Sequence, residues 1–240
     1  MVSTAPVKPA ESRRDRHRRE LVDQLCDEAR SQLAKGGAGS VTWRGLARSV
    51  GMSPASLYTY FEGLDALFTE LILRSYGALS AATAAAAEAF AEDSPGDRIL
   101  LGPLAYRHWA LDHRAEFNLI FTDQLPGYSA EPGGETVDAQ MAIFRPMTEA
   151  VSVALGTDVS EPGQQSDDAL QHSIGIWGLF HGLVSLEVNH HLDWLEAREV
   201  FEGRLRWALE AIGLPPARPG LAAAFYEWVE GNNQKRCPLD

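Results

Sequence analysis

Five hydroxyl-bearing residues crowd into "SPASLYTY", residues 53–60: Ser53, Ser56, Tyr58, Thr59 and Tyr60. No carboxylate, imidazole or thiol stands among them, so the chemistry on offer is hydrogen bonding and close contact, not bond cleavage. Ser53, Pro54, Ala55, Ser56 and Thr59 are small enough for a helix backbone to lie close to base edges in a DNA major groove. Tyr58 and Tyr60 carry hydroxyls that reach phosphate without needing charge. Upstream, "SRRDRHRRE" supplies Arg13, Arg14, Arg16, Arg18 and Arg19. Their expected role is sequence-independent: neutralising phosphates and releasing counterions.

Such side chains are useful only if helices position them. In "LARSVGMSPASLYTYF" (46–61), Leu46, Val50, Met52 and Leu57 are apolar at the offsets that pack two short helices together. Ala47 is small where those helices must nearly touch, and Gly51 falls in the turn, free to take positive φ. Thr42 is placed to cap a helix over about 43–50; Ser53, with Pro54 at the first helical position, opens another over about 54–60. Before them, Leu21, Val22, Leu25, Cys26, Ala29 and Leu33 line one face of a helix over 13–35, broken by "GGAG" (36–39). After them, Leu64, Leu67, Phe68, Leu71, Ile72, Ser75 and Leu79 stripe a longer helix.

Helical periodicity recurs at about 96–112, 114–123, 136–155, 166–192 and 196–212, while two-residue alternation is almost absent. The expected fold is all-α: a helix-turn-helix domain of three helices over 13–62, then a helical body over 63–214. A polar arm (1–12) and a tail (215–240), with one or two amphipathic turns from Leu221 to Val229, flank them. There is no fixed-period repeat.

Charge divides along the same line. The chain carries a net −12, yet residues 1–50 hold ten Lys/Arg against six Asp/Glu, leaving a net −16 for the rest. A basic head on an acidic body suits a nucleic-acid-binding head with a differently employed body. The widely separated Cys26 and Cys237 do not make a disulfide framework, and Cys26 reads as a small buried apolar residue. No secretory signal and no apolar run long enough for a membrane span is legible, so the expectation is a cytoplasmic protein with no membrane partner.

The segment "VTWRGLARSVGMSPASLYTYFEGLDALFTELI" (41–72) resembles the DNA-binding signature of TetR-family regulators: a threonine-led helix, a glycine turn, "LYxYF", then "DAL" opening the next helix. The resemblance spans about 13–75. It implies an all-helical homodimer on a double-stranded DNA operator, with a ligand-binding and dimerising C-terminal part. By position, Arg44 matches a residue that can read a guanine edge. Pro54, Ala55 and Ser56 match base-facing positions, and Tyr58, Thr59 and Tyr60 match backbone- or base-contacting ones. One departure concerns the start of the fourth helix, where relatives carry Lys or Arg to grip phosphate. Here Leu64 stands in that place with Glu62 nearby, and the arginine-rich segment is expected to compensate.

In the body, "WGLFHG" (177–182) resembles the WHG-type C-terminal domain of a subset of these regulators. "IGIWGLFHGLVSLEVNHH" is apolar on more than one face, which predicts burial on two sides. Pockets between helices are mostly apolar with a few placed polar groups. The expected pocket has Trp109, Phe117, Phe121, Trp177 and Phe180 as walls and His108, Asn118 and His181 as polar anchors, for a small hydrophobic effector. Two subunits are expected to pair through the helices over about 166–192 and 196–212, where Phe201, Leu205, Ala208, Leu209 and Ile212 form one stripe. No metal-ligand spacing, phosphate loop or nucleophile motif occurs, so no enzyme activity, metal or cofactor is expected. The alternative is a DNA-binding regulator without a small ligand, controlled by a protein partner through the Leu221–Val229 tail. A third class, a small-molecule-binding helical enzyme with an incidental basic arm, separates from both by lacking salt-dependent operator binding.

Overall fold

The computed structural model describes residues 12–90, 94–122, 133–157 and 167–236, with side chains of the last helix as far as Asn232. The arm before Ser12, most of the three long loops and Cys237 lie outside these residues. The chain divides into two compact units. One comprises residues up to Ile72 together with 118–128; the other holds 73–117 and the chain from 129 onward. The division falls at Ile72, inside the fourth helix.

In the first unit, α1 (Arg13–Gly36) starts at Ser12, whose hydroxyl accepts from the Asp15 N–H. The arginine-rich segment is therefore helix from Arg13 onward. Leu25, Cys26, Ala29 and Leu33 are its buried face. The helix stops where Gly37 adopts φ 70°, and a single 3-10 turn, Ala38–Ser40, leads to Val41. Short helices α2 (Trp43–Ser49) and α3 (Pro54–Leu57) follow. Leu46, Ala47 and Leu57 are each no more than 1 % exposed, so the tight apolar joint expected between these helices is present. Gly51 sits at φ 68°, with no partner crowding its Cα. α4 (Leu64–Ala89) begins in this unit, where Leu67, Phe68, Leu71 and Ile72 are buried.

The second unit contains the rest of α4, then α5 (Pro95–Asp112), the start of α6 (Arg114–Phe121), α7 (Glu135–Ala154), α8 (Asp167–Val188), α9 (Ala197–Ala211) and α10 (Leu221–Arg236). α5 is the central helix: it packs against α7, α8 and α10, and α8 packs in turn against α7 and α9. Tyr106, Arg107 and Trp109 are all buried, so different faces of α5 are covered at once. Its entry is tight. Ser94 caps the first turn by accepting from the Asp97 N–H, and a Cβ on Gly96 would stand 2.5 Å from the carbonyl oxygens of Pro215 and Pro216. Buried Asp97 accepts from the Arg218 N–H at 2.8 Å and faces the Arg218 guanidinium at 3.4 Å. "GLPPARPG" is thus strapped across the start of α5.

Two expectations change here. The tail folds as a full helix of 16 residues, with Leu221, Phe225 and Val229 buried. Phe225 meets Phe90, His108 and Trp228 at ring separations of 6.5, 6.4 and 5.9 Å. That apolar face is occupied within the chain and is not free for a protein partner. Likewise Phe201, Leu205 and Leu209 of α9 are buried, since the face carrying them is turned toward α8 of the same chain. Three of the five stripe residues expected to pair subunits are therefore core, with Ala208 and Ile212 half-buried.

Candidate nucleic-acid interface and aromatic cluster

The recognition segment is built from local caps. The Thr42 hydroxyl accepts from the Gly45 N–H and the Ser53 hydroxyl from the Ser56 N–H, each at 3.1 Å. These satisfy amides that a helix start leaves without partners. Pro54 occupies the first helical position, where it has no N–H to lose. The chain leaves α2 through a glycine-terminated turn: the Met52 N–H donates to the Ala47 carbonyl at 2.8 Å and the Gly51 N–H to Arg48 at 3.2 Å. The result brings Thr42, Arg44, Ser53, Pro54, Ala55, Tyr58 and Thr59 together as exposed residues, with Ser56 and Tyr60 half-buried. Tyr58 is 61 % exposed, far more than a core tyrosine would be.

Regular α3 ends at Leu57, three residues short of the expected limit, and continues as turns through Tyr60. Two side chains from elsewhere grip this segment. The Trp43 indole N–H donates to the Pro54 carbonyl at 3.1 Å while its ring lies 5.1 Å from Tyr58. Arg18 donates to the Thr59 carbonyl at 2.7 Å and lies over the Tyr60 ring at 5.6 Å. Arg18 is expected from sequence to serve phosphate with its neighbouring arginines; in the structure it is bound to the segment from Pro54 to Tyr60. Arg13 and Arg14 are exposed on the first turn of α1.

In the body, Tyr106, Phe117, Trp177, Phe180 and His181 come together. Tyr106 hydroxyl and His181 Nδ1 are 2.8 Å apart. The His181 ring stacks on Trp177 at 4.9 Å and lies 5.8 Å from Phe117, and Tyr106 lies 5.0 Å from Phe180. Phe144 of α7 meets Trp177 edge-on at 6.2 Å. Tyr106, Phe117 and Phe180 are buried, whereas Trp177 and His181 are half-buried. Burial holds the His181 imidazole below the usual histidine range, so the neutral ring is favoured. Burial, with a smaller contribution from Tyr76, drives the Tyr106 phenol well above its ordinary value.

Trp109 is buried on α5 and stacks on His113 at 5.1 Å. Its indole N–H is one of the buried side-chain groups without a hydrogen-bond partner among the described residues. His108 does not join the cluster. It lies on the α10 side of α5, 6.4 Å from Phe225 and 3.4 Å from the Asp112 carboxylate, because a helical step of two residues from Tyr106 turns it to the other face. Asn118 and Phe121 fall with the first unit and are half-buried.

Sequence reading missed the strongest polar feature of the body. Buried Arg107 donates from Nε and Nη2 to the two carboxylate oxygens of Glu187, 80 positions away, and from Nη1 to the Tyr226 hydroxyl at 3.1 Å. Burial works to lower the Arg107 pKa, but the bonds to Glu187 and Tyr226 outweigh it and the net direction is upward. Arg114 adds a second tie by donating to the Val188 carbonyl at the end of α8, where exposed carbonyls favour a cation. A lone Arg on an apolar helix face was the only available signal.

Comparison with known proteins agrees with this architecture. Residues 25–71 match the tetR family of bacterial regulatory proteins. Residues 104–212, which include "WGLFHG", match the tetracyclin repressor-like C-terminal domain. An HTH-type transcriptional regulator of Mycobacterium tuberculosis, Rv1816, is 26% identical over 192 residues, covering 71% of this chain and 82% of that protein. Among solved structures, the candidate regulatory protein SCO4313 is 29% identical with a TM-score of 0.70, covering 83% of this chain and 100% of its own. A protein of unknown function from Rhodococcus sp. RHA1 is 27% identical with a TM-score of 0.66, covering 80% and 94%. With a capped helix-turn-helix in the first unit, a helical body in the second, and both family domains matched in order, the chain belongs to the TetR family of transcriptional regulators.

Proposed function

We propose that the protein is a repressor that holds a palindromic double-stranded operator as a homodimer and releases it when a small hydrophobic effector enters the body. The observation that carries the DNA-binding half is the exposed, doubly capped segment from Thr42 to Tyr60. Arg44 is its base-reading guanidinium, Ser53, Pro54, Ala55 and Ser56 face the bases, and Tyr58, Thr59 and Tyr60 contact the backbone or bases. Exposure of Tyr58 supports that use, because a large aromatic ring left in water beside a basic helix is suited to a partner surface. Arg13 and Arg14, exposed on the first turn of α1, serve phosphate.

Support for effector binding comes from the aromatic cluster of Tyr106, Phe117, Trp177, Phe180 and His181. Its half-buried members offer planar apolar contact, and neutral His181 offers a hydrogen bond. Trp109, buried on α5 and stacked on His113, is read as a further wall of that pocket. Support for pairing comes from the outer face of α8. Leu170, Ile174 and Leu186 are 37, 46 and 43 % exposed, and added Cβ atoms on Gly175, Gly178 and Gly182 would meet nothing within 4 Å. On α9, Trp207 is 63 % exposed. The test is fluorescence anisotropy on operator DNA selected from a random pool, run across a salt series and then against a panel of hydrophobic carbonyl compounds. Specific, salt-dependent binding reversed by a panel member supports the proposal. Binding that no panel member reverses restricts it to a DNA-binding regulator, and absence of binding overturns it.

A further inference from the structure

We infer that Arg18 and Trp43 are positioning residues that hold the recognition segment in its DNA-ready conformation, one at each end, and that Arg18 is therefore not a phosphate contact. The inference rests on the proposed DNA-binding reading. Only Pro54–Leu57 are regular helix in that segment, and a single turn of helix has almost no stability of its own. The amides of Tyr60 and Phe61 both donate to the Leu57 carbonyl, so that one acceptor is shared and the exit from the helix is weakly held. The first clamp is Trp43, whose N–H takes the Pro54 carbonyl at 3.1 Å while its ring backs Tyr58. The second is Arg18, 41 positions before its acceptor, which takes the Thr59 carbonyl at 2.7 Å and covers the Tyr60 ring. Each clamp joins a backbone carbonyl and an aromatic side chain of the same segment, so each restricts both the path of the chain and the aim of a tyrosine hydroxyl. Both come from outside α3: Trp43 opens α2, and Arg18 lies on α1.

The two roles of an arginine separate experimentally. A phosphate contact contributes about 0.9 to the slope of log affinity against log salt, and lysine can serve it as a point charge. A clamp that uses a planar fork over a ring contributes nothing to that slope, and lysine replaces it poorly. Arg18→Gln, Arg18→Lys and Trp43→Phe would be compared with the unaltered full chain, the last keeping a ring against Tyr58 while deleting the N–H. Operator affinity is expected to fall about 5- to 20-fold in Arg18→Gln, as one charge-assisted hydrogen bond and a cation–π contact are lost. The salt slope should remain unchanged, Arg18→Lys should recover little, and Trp43→Phe should weaken binding by several-fold. Hydrogen exchange, read without DNA, should show the Tyr60 and Phe61 amides exchanging faster in Arg18→Gln while amides of α8 keep their protection. A slope reduced by about one unit with affinity restored by Arg18→Lys overturns the inference, as do unchanged exchange at Tyr60 and Phe61 or unchanged operator affinity. If the unaltered chain binds no duplex, the DNA-binding reading fails, and the exchange measurement still decides whether the clamps exist.

Discussion

Arg107 joins three helices through one side chain, and its environment sets the consequence of removing it. Its fork engages Glu187 of α8 and Tyr226 of α10 while the side chain itself is only 8 % exposed. Arg107→Ala would leave Glu187 in a poorly hydrated site without its cation, so a loss of about 3–5 kcal/mol in urea unfolding is expected. Replacing both partners by Met and Leu should cost clearly less, because no charge is then stranded. At the DNA face, Arg44→Ala should relax sequence preference by about 1–3 kcal/mol of discrimination, whereas Tyr58→Phe should weaken operator and random DNA alike. Competition binding on single-base operator variants distinguishes the two. His181 bears on pH. Its folded pKa lies below the ordinary value of 6.5, so the unfolded chain binds the proton more readily. The associated stability is fully present above about pH 6.5 and is lost as pH falls toward the lowered folded value. Thermal midpoints should decline through that window, and His181→Asn should flatten the decline without abolishing it, since His108 is also shifted downward, chiefly by burial.

At the scale of elements, helix spans follow from apolar spacing and caps, which are local properties. Expected and observed limits agree closely for α1, α2, α5, α7 and α9. Where they differ, a tertiary cause is visible. α3 gives way to turns after Leu57, as Tyr58 meets Trp43 and Arg18 takes the Thr59 carbonyl. α8 ends at Val188, not near 192, because His190 turns to φ 64° and bonds Asp193. The tail is a helix of 16 residues because Phe225 and its neighbours find Phe90 and α5 to pack on. Truncation after Gly220 should therefore expose Phe90 and His108 and remove the Tyr226 partner of Arg107. A lower thermal midpoint and dye binding to exposed apolar surface are expected; an unchanged midpoint would make α10 an appendage.

For the whole molecule, a basic head and an acidic body suit one protein that must approach DNA without coating it. The head attracts phosphate and the body repels it, which favours one orientation of approach. In the proposed mode of binding, dimerisation brings two heads to two half-sites. Ile174→Glu changes a side chain that is 46 % exposed in the single chain, so folding of one chain should survive it. Light scattering should show the mass falling from twice 26.2 kDa toward that of one chain, with operator affinity falling in parallel. A variant that stays dimeric would remove the outer face of α8 from the proposed interface.

By itself the sequence determined the all-helical class, the caps at Thr42 and Ser53, the turn at Gly51 and the buried face of α1. Each depends on neighbours within a few positions, and periodicity or side-chain chemistry records such neighbours directly. The aromatic gathering around His181 was half legible, since a buried helix rich in rings must pack them against something. Only the tertiary structure decided which face of α9 turns inward, because Phe201 and Trp207 lie on different apolar faces of the same helix and spacing alone cannot choose between them. Only it brought Arg107 to Glu187 across 80 positions and carried Arg18 over Tyr60. Such pairs depend on helices that meet after folding, and no local pattern encodes the angle at which they meet.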